Sequence, residues 1–302
     1  MDFIITLVNG LSLGGIYAMI ALGYTMVYGI AKMLNFAHGD IIMVGGYAIL
    51  VFLAINPIVA IIASVVFCTL LGIVVEKVAY KPLRGASPLA VLITAIGVSY
   101  LLQSLAQIIF GSDSKFVIVA DLGKLTVGEL VIDVATVITL LCSMVIMIAL
   151  NMFVKYTKVG RAMLAVSEDK DAARLMGINI NFIITMTFAI GSALASLAGL
   201  FYVLRIPSIN PTFGAMPGIQ AFTAAVIGGI GSIPGAMLGG ILLGIVECLC
   251  NAVPAISPYT IAIEFAILIV ILLVKPTGIL GKKRRERYNE CAFRKNEKGK
   301  VE

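Results

Sequence analysis

The chain has 302 residues, of which 60% are hydrophobic and 13% are charged, and its formal net charge is +6. A soluble domain carries about 25% charged residues, so this composition excludes an ordinary soluble globular protein. Apolar spans of about 20 residues recur along the whole length, which predicts an all-α, polytopic helical membrane protein. The scattered cysteines lack zinc-ligand spacing, so we expect no metal and no disulfide framework. We also expect no cofactor.

The first apolar run, residues 3–31, is rich in glycine. Gly10 and Gly14 form a GxxxG pair, which predicts the close approach of a neighbouring helix. The run is longer than one span requires, so a tilt, a break or an added half-helix all remain open.

The most polar patch near membrane depth follows at residues 32–40, KMLNFAHGD, and holds the only histidine. Its polar side chains can bond to free backbone groups where one helix stops and the next begins. Non-helical backbone at this depth survives only inside protein or against a watery cavity. The patch is therefore either a tight turn, the simpler interpretation of a lone histidine, or the lining of a translocation path. The candidate path residues are Asn35, Phe36, His38, Gly39 and Asp40.

Further spans follow, with Asn56-Pro57 as a tight turn between the first two. Gln103 and Gln107 share one helix face and predict contact with protein, because buried amides in lipid seek partners. The expected spans before the central polar stretch are 41–55, 58–75, 88–110 and 132–154.

The central stretch, residues 155–181, is the longest polar interruption between two apolar spans. Its composition predicts a short helix capped by Ser167, with acidic residues in its first turns and a left-handed Gly177 at its end. Small and adaptable side chains share one face at i, i+3, i+4 and i+7 spacing, namely Asp169, Ala172, Ala173 and Met176. From these residues alone, a solvated connector and a surface that docks onto a partner remain equally open.

The later spans combine small residues with a glycine-rich segment. Gly191, Ala195 and Gly199 predict a tight packing face on the helix that follows the central stretch. Residues 218–230 are short for a full span, which favours a half-helix or a discontinuous helix. The residues that mark the break are Gly228, Gly229, Gly231, Pro234 and Gly235. The chain contains no phosphate-binding GxxxxGK[ST] loop, so we expect no ATPase site of its own.

Two acidic residues, Glu247 and Glu264, lie deep in late spans. An acid within a membrane span suggests a functional site. A proton relay is one interpretation, and a protonated, hydrogen-bonded structural pair is the plainer one.

The distribution of charge predicts the orientation. Lysine and arginine concentrate at 76–84, at 155–181 and beyond Lys275, which places these regions and the C-terminus on the cytoplasmic side. The basic run at 282–287, KKRRER, is then an orientation signal and a partner for anionic lipid rather than for nucleic acid. We expect one transmembrane domain over 1–281, with about eight helices (seven to nine), and a basic cytoplasmic tail over 282–302.

Four runs, in order, resemble one family: LNFAHGD (34–40), GRAMLAVSEDKDAARLMGIN (160–179), GGIGSIPGAMLGG (228–240) and VKPTGILG (274–281). They are similar to the permease subunits of branched-chain amino-acid ABC importers, and the length resembles the shorter of that family's two permeases. The chain departs from the family at Thr260-Ile261, where a basic–acidic pair often enters the last helix.

The resemblance implies a non-enzymatic subunit of a bacterial or archaeal cytoplasmic membrane. Its partners would be a second homologous permease, two ABC ATPases and a periplasmic or lipid-anchored substrate-binding protein. The central stretch would couple to the ATPases through Gly160, Arg161, Glu168, Asp169, Asp171, Ala172, Ala173, Met176 and Gly177. Urea or short amides as substrates, and a self-sufficient proton-coupled transporter, remain alternatives.

Overall fold

The computed structural model describes residues 2–120, 122–127 and 130–281, so the predicted basic tail at 282–302 lies outside the described residues. The helices are α1 Asp2–Ala31, α2 His38–Leu53, α3 Pro57–Val75, α4 Pro88–Phe110, α5 Val134–Tyr156, α6 Lys158–Glu168, α7 Lys170–Leu175, α8 Ile180–Arg205, α9 Ala215–Gly228, α10 Ile233–Ala252 and α11 Thr260–Val274. A π-helical turn, Glu76–Tyr80, and a 3₁₀ turn, Lys81–Leu83, extend α3, and a further 3₁₀ turn, Ser257–Tyr259, precedes α11.

The predicted polytopic helical class is confirmed. Within the described ranges, seven helical spans are long and apolar enough to cross a membrane: α1, α3, α4, α5, α8, α10, and α11 taken together with the 3₁₀ turn before it, Ser257–Val274. Two apolar helices are shorter, α2 with 16 residues and α9 with 14. The polar loop after α4, together with a short strand after α8, supplies the small amount of sheet. Here β1 Lys115–Phe116 pairs antiparallel with β4 Ser208–Ile209, and β2 Lys124–Val127 pairs antiparallel with β3 Leu130–Asp133.

Helix α1 is continuous from Asp2 to Ala31, so the break considered for the first run is absent. It lies at the centre of the bundle and packs most extensively on α10. A Cβ atom added to Gly14 would lie 2.7 Å from the Cα of Ile241, so the GxxxG pair does permit a close crossing, as predicted. The small face of α8 also packs as expected: a Cβ on Gly199 would lie 2.9 Å from the carbonyl oxygen of Ile42 in α2.

The glycine-rich run after α9 forms a turn between two antiparallel helices. Gly229 and Gly231 adopt positive φ angles of 108° and 95°, conformations that L-residues with a Cβ rarely adopt. The Ser232 hydroxyl then accepts a hydrogen bond from the N–H of Gly235, which starts α10. Because α10 runs back along α9, the segment is a short half-helix followed by a hairpin, the first of the two arrangements that the sequence favours.

Candidate functional site

The helices α2 and α9 both begin inside the bundle, and their first turns meet. A Cβ atom on Gly39 would lie 2.6 Å from the carbonyl oxygen of Gly214 and 3.3 Å from the Cα of Gly218. Only glycine permits this approach of the two backbones. Each helix start presents the positive end of a helix dipole. The pair therefore gives the interior a region that is attractive to negative charge.

The polar residues of the 32–40 patch are held by side chains from other elements. The Tyr80 hydroxyl donates to Asn35 Oδ1 at 2.7 Å, and Gln103 Nε2 donates to Asp40 Oδ1 at 2.8 Å. The His38 ring lies edge-on to Tyr24 at 4.7 Å between ring centroids. None of these side chains caps α2 among the described residues, because Ala37 occupies the cap position.

A cavity of about 140 Å³ opens where α2 and α9 meet. Phe36, Gly39 and Asp40 line it, together with Tyr24 and Gln103. The Asp40 carboxylate is 2% exposed, so the cavity offers a buried acceptor beside two aromatic rings and two helix starts. Such a lining can accept an ammonium group and an apolar side chain together.

Two of the predicted path residues lie away from this cavity. Asn35 faces Tyr80 of the turn after α3. His38 lies over Gly23 of α1, and its Nε2 atom has no hydrogen-bond partner within the described part of the chain.

Sequence reasoning missed Tyr24 as a lining residue, because an isolated tyrosine in an apolar run carries no distinguishing signal. Gln103 did carry a signal in the sequence, because a buried amide within a membrane span requires a hydrogen-bond partner in the protein.

The two buried acids belong to one hydrogen-bonded cluster. The Tyr17 hydroxyl lies 2.7 Å from Gln220 Oε1 and 2.7 Å from Glu247 Oε2. The Gln220 amide nitrogen lies 3.3 Å from Glu247 Oε2 and 3.2 Å from Glu264 Oε2. The cluster joins α1, α9, α10 and α11, an arrangement that agrees with the structural interpretation of the pair.

The central stretch forms two helices rather than one. Thr157 caps α6, since its hydroxyl accepts from the N–H of Gly160 at 3.0 Å. Asp169 caps α7, since one carboxylate oxygen accepts from the N–H groups of Asp171 and Ala172 at 2.9 and 3.0 Å. The predicted cap, Ser167, instead donates to the carbonyl of Leu164 inside α6. Glu168 consequently ends α6 and does not lie in the first turn of the next helix.

The face predicted on this stretch is split between the protein interior and the surface. Ala173 is 4% exposed and packs inside the chain, whereas Met176 is 82% exposed. Leu175, which the spacing did not select, is 89% exposed. Gly177 ends the helix with a φ of 81°, as predicted. The result is a short, capped helix with two projecting apolar side chains.

The remaining predicted residues of this stretch have distinct positions. Gly160 is buried where α6 turns against the end of α5, and a Cβ there would overlap Phe153 and Val154. Arg161, Asp171 and Ala172 are exposed. The exposed and capped geometry leaves these side chains accessible to a partner.

Comparisons with known proteins place the chain in a family. Residues 6–272 match the family described as branched-chain amino acid transport system / permease component. The high-affinity branched-chain amino acid transport system permease protein BraD of Pseudomonas aeruginosa is 42% identical over 299 residues, covering 93% of this chain and 96% of BraD. LivH of Escherichia coli K12, of the same description, is 40% identical over 301 residues, covering 94% and 97%.

An archaeal protein, the probable branched-chain amino acid transport permease protein LivH of Methanocaldococcus jannaschii, is 30% identical over 283 residues. It covers 87% of this chain and 88% of its own length. These matches extend over the long helices, the two short helices α2 and α9, and the central stretch. The chain belongs to the family of permease components of branched-chain amino acid transport systems.

Proposed function

We propose that this protein is the membrane permease subunit of an ATP-driven importer for branched-chain amino acids. The observation that carries the proposal is its near-complete overlap with BraD and LivH, at 42% and 40% identity. One transmembrane domain, residues 1–281, forms half of the pore. ATP hydrolysis belongs to separate ABC ATPase subunits, and a substrate-binding protein delivers the amino acid.

The translocation path passes the cavity between the starts of α2 and α9. The helix starts attract the substrate carboxylate, and Asp40 attracts its ammonium group. Tyr24 and Phe36 provide apolar surface for the substrate side chain. Support comes from the position of Asp40: its carboxylate is 2% exposed and lines the cavity, and an acidic residue within a membrane bundle suggests a functional site.

The coupling contact with the ATPases is made by α7. A short helix that projects Leu175 and Met176 fits a hydrophobic groove on a partner. The buried Ala173 fixes the helix to the bundle, so movement of α7 is transmitted to its neighbours. A second, homologous permease completes the pore, and the C-terminus lies in the cytoplasm, as the distribution of basic residues favours.

The docking proposal is tested by co-expression with the ATPases and the binding protein, followed by reconstitution in lipid. Leu175→Asp combined with Met176→Asp should lower substrate-stimulated ATPase activity at least about tenfold, because two charges then face an apolar groove. The control is Leu122→Asp, which adds a charge in the loop between α4 and α5. If the double variant couples like the wild type, α7 is not the docking element.

Uptake with radiolabelled substrates separates the alternatives. Leucine, isoleucine and valine should compete with one another, whereas urea and short amides should not. Glu264→Gln should retain ATP-dependent uptake, because the amide oxygen can still accept from Gln220. Nucleotide-independent uptake that Glu264→Gln abolishes would instead establish a proton-coupled transporter.

A further inference from the structure

A carboxylate is fully buried at the start of the π-helical turn that follows α3. Glu76 is 0% exposed, although this turn lies where the span ends. A buried carboxylate is costly unless it is paired and hydrogen-bonded. π-Helical turns are rare and are frequent at functional sites. The contacts of Glu76 therefore indicate what this turn does.

Both carboxylate oxygens of Glu76 have partners. Arg84, from the connection between α3 and α4, forms an ion pair with Oε1, and the Thr185 hydroxyl of α8 donates to Oε2 at 2.8 Å. Arg84 also donates to Oδ1 of Asn181 in the first turn of α8. A planar guanidinium can hold two acceptors at once in a fixed geometry. Glu76 and Arg84 therefore attach the start of α8 to the end of α3.

The start of α8 follows α7 closely. Only residues 176–179 separate the two helices. The N–H of Ile178 donates back to the carbonyl of Ala173 in α7 at 3.1 Å, and the Asn179 side chain accepts from the N–H of Phe182 in α8 at 3.2 Å. Because this link is short and hydrogen-bonded at both ends, a displacement of α7 moves the start of α8.

The other end of the π-helical turn contacts the residues before α2. Tyr80 ends the turn that Glu76 begins, and it is 0% exposed. Its hydroxyl donates to Asn35 Oδ1 at 2.7 Å, and the Asn35 carbonyl accepts from the N–H of His38, the first residue of α2. Phe36, which lines the candidate path cavity, is the next residue after Asn35. The buried turn thus joins the start of α8 to the start of α2.

We propose that Glu76 is a positioning residue that couples α7 to the candidate path through a coupling network of Asn181, Arg84, Glu76, Tyr80 and Asn35. Glu76 acts by attaching the start of α8 to a turn whose far end holds the segment before α2. Hydrogen-bond and salt-bridge networks on rigid elements can carry coupling between distant sites. This inference rests on the proposed function, in which α7 contacts the ATPases.

The first test removes one hydroxyl from the network. Tyr80→Phe keeps the ring that packs against Phe188 and removes the contact with Asn35. In the complete assembly reconstituted in lipid, the amount of leucine transported per ATP hydrolysed should fall at least about threefold. The matched control is Tyr100→Phe, which removes a hydroxyl from an exposed tyrosine of α4 outside the network and should leave this ratio unchanged.

A second pair of variants separates coupling from stability. Arg84→Met should lower both the transport ratio and the midpoint of thermal unfolding, because Glu76 is then a buried charge without its ion-pair partner. Adding Glu76→Gln removes that charge, so the midpoint should recover. The transport ratio should stay low, because the contact between Arg84 and Asn181 is still missing.

A purely structural role for this network predicts that both quantities recover in the double variant, and that result would overturn the inference. Variants that transport as much leucine per ATP as the wild type would also overturn it. A wild-type assembly without ATP-dependent uptake would overturn the proposed function itself, and this inference with it.

Discussion

At the scale of single residues, helix crossings in this bundle depend on the absence of side chains. Gly14 of α1 and Gly240 and Gly244 of α10 meet at the most extensive contact between two helices. In lipid, association between helices rests on such close packing, because apolar side chains gain little over contact with lipid tails. A side chain at this crossing separates the two backbones.

Gly14→Leu should therefore lower the free energy of unfolding by about 1–3 kcal/mol through overpacking. Thermal unfolding in detergent measures it as a lower midpoint. Gly97 in α4 offers the matched control, since a Cβ there meets nothing within 4 Å. Gly97→Ala should leave the midpoint unchanged or raise it. Equal effects of the two variants would contradict the packing argument.

The cluster around Gln220 predicts a second effect at this scale. Glu264 is 1% exposed and accepts from the Gln220 amide, so Glu264→Ala leaves that buried donor with one acceptor fewer. The expected loss is about 1–3 kcal/mol, and Glu264→Gln should lose less because an acceptor oxygen remains. The midpoints of thermal unfolding for the two variants measure the difference. If alanine is tolerated as well as glutamine, the cluster does not hold α11.

At the scale of elements, α7 is a short helix fixed by its two ends. Asp169 accepts two N–H groups at its start, and the N–H of Ile178 donates to the carbonyl of Ala173 across the left-handed Gly177 at its end. A helix of six residues is not stable alone, so α7 depends on its caps. The caps therefore fix the positions of the exposed Leu175 and Met176.

Gly177→Val should loosen this end, because a residue with a Cβ costs about 1–2 kcal/mol in the left-handed conformation. Gly177→Asn should cost less, since asparagine tolerates that conformation better. Substrate-stimulated ATPase activity should fall in the order glycine, asparagine, valine. An unchanged activity in Gly177→Val would show that the geometry of this end does not matter for coupling.

The elements also show what a sequence can predict here. Apolar runs, the Asn56-Pro57 turn and the left-handed Gly177 depend on local chemistry, and each was predicted correctly. The cap at Asp169 instead of Ser167 depends on where α6 ends, and Gly160 permits α6 to pack against α5. The burial of Ala173, like the partners of Asn35 and Asp40, depends on residues distant in the chain. Spacing along one helix cannot supply these contacts.

In the molecule as a whole, the two short helices α2 and α9 meet among the longer helices of the bundle. This arrangement leaves a small cavity with a carboxylate in the interior, which is the basis of the proposed path. Asp40 also joins α2 to α4 through Gln103, so its structural role and its proposed transport role must be separated experimentally.

Asp40→Asn separates the two roles, because asparagine keeps an oxygen that accepts from Gln103 and removes the negative charge. Assembly with the ATPases should be unchanged, while substrate uptake should fall about tenfold or more, since an ammonium group loses its charged partner. Radiolabelled leucine uptake in vesicles measures the change. Uptake equal to the wild type would assign Asp40 to helix packing alone.

We propose above that this chain forms a pathway whose energy comes from other subunits. The most direct measurement is leucine uptake into vesicles that contain the chain alone, and into vesicles that also contain the second permease, the ATPases and the binding protein. We predict uptake only in the complete assembly, and only when the ATPases can hydrolyse ATP. Uptake by the chain alone, driven by a proton gradient without nucleotide, would contradict it.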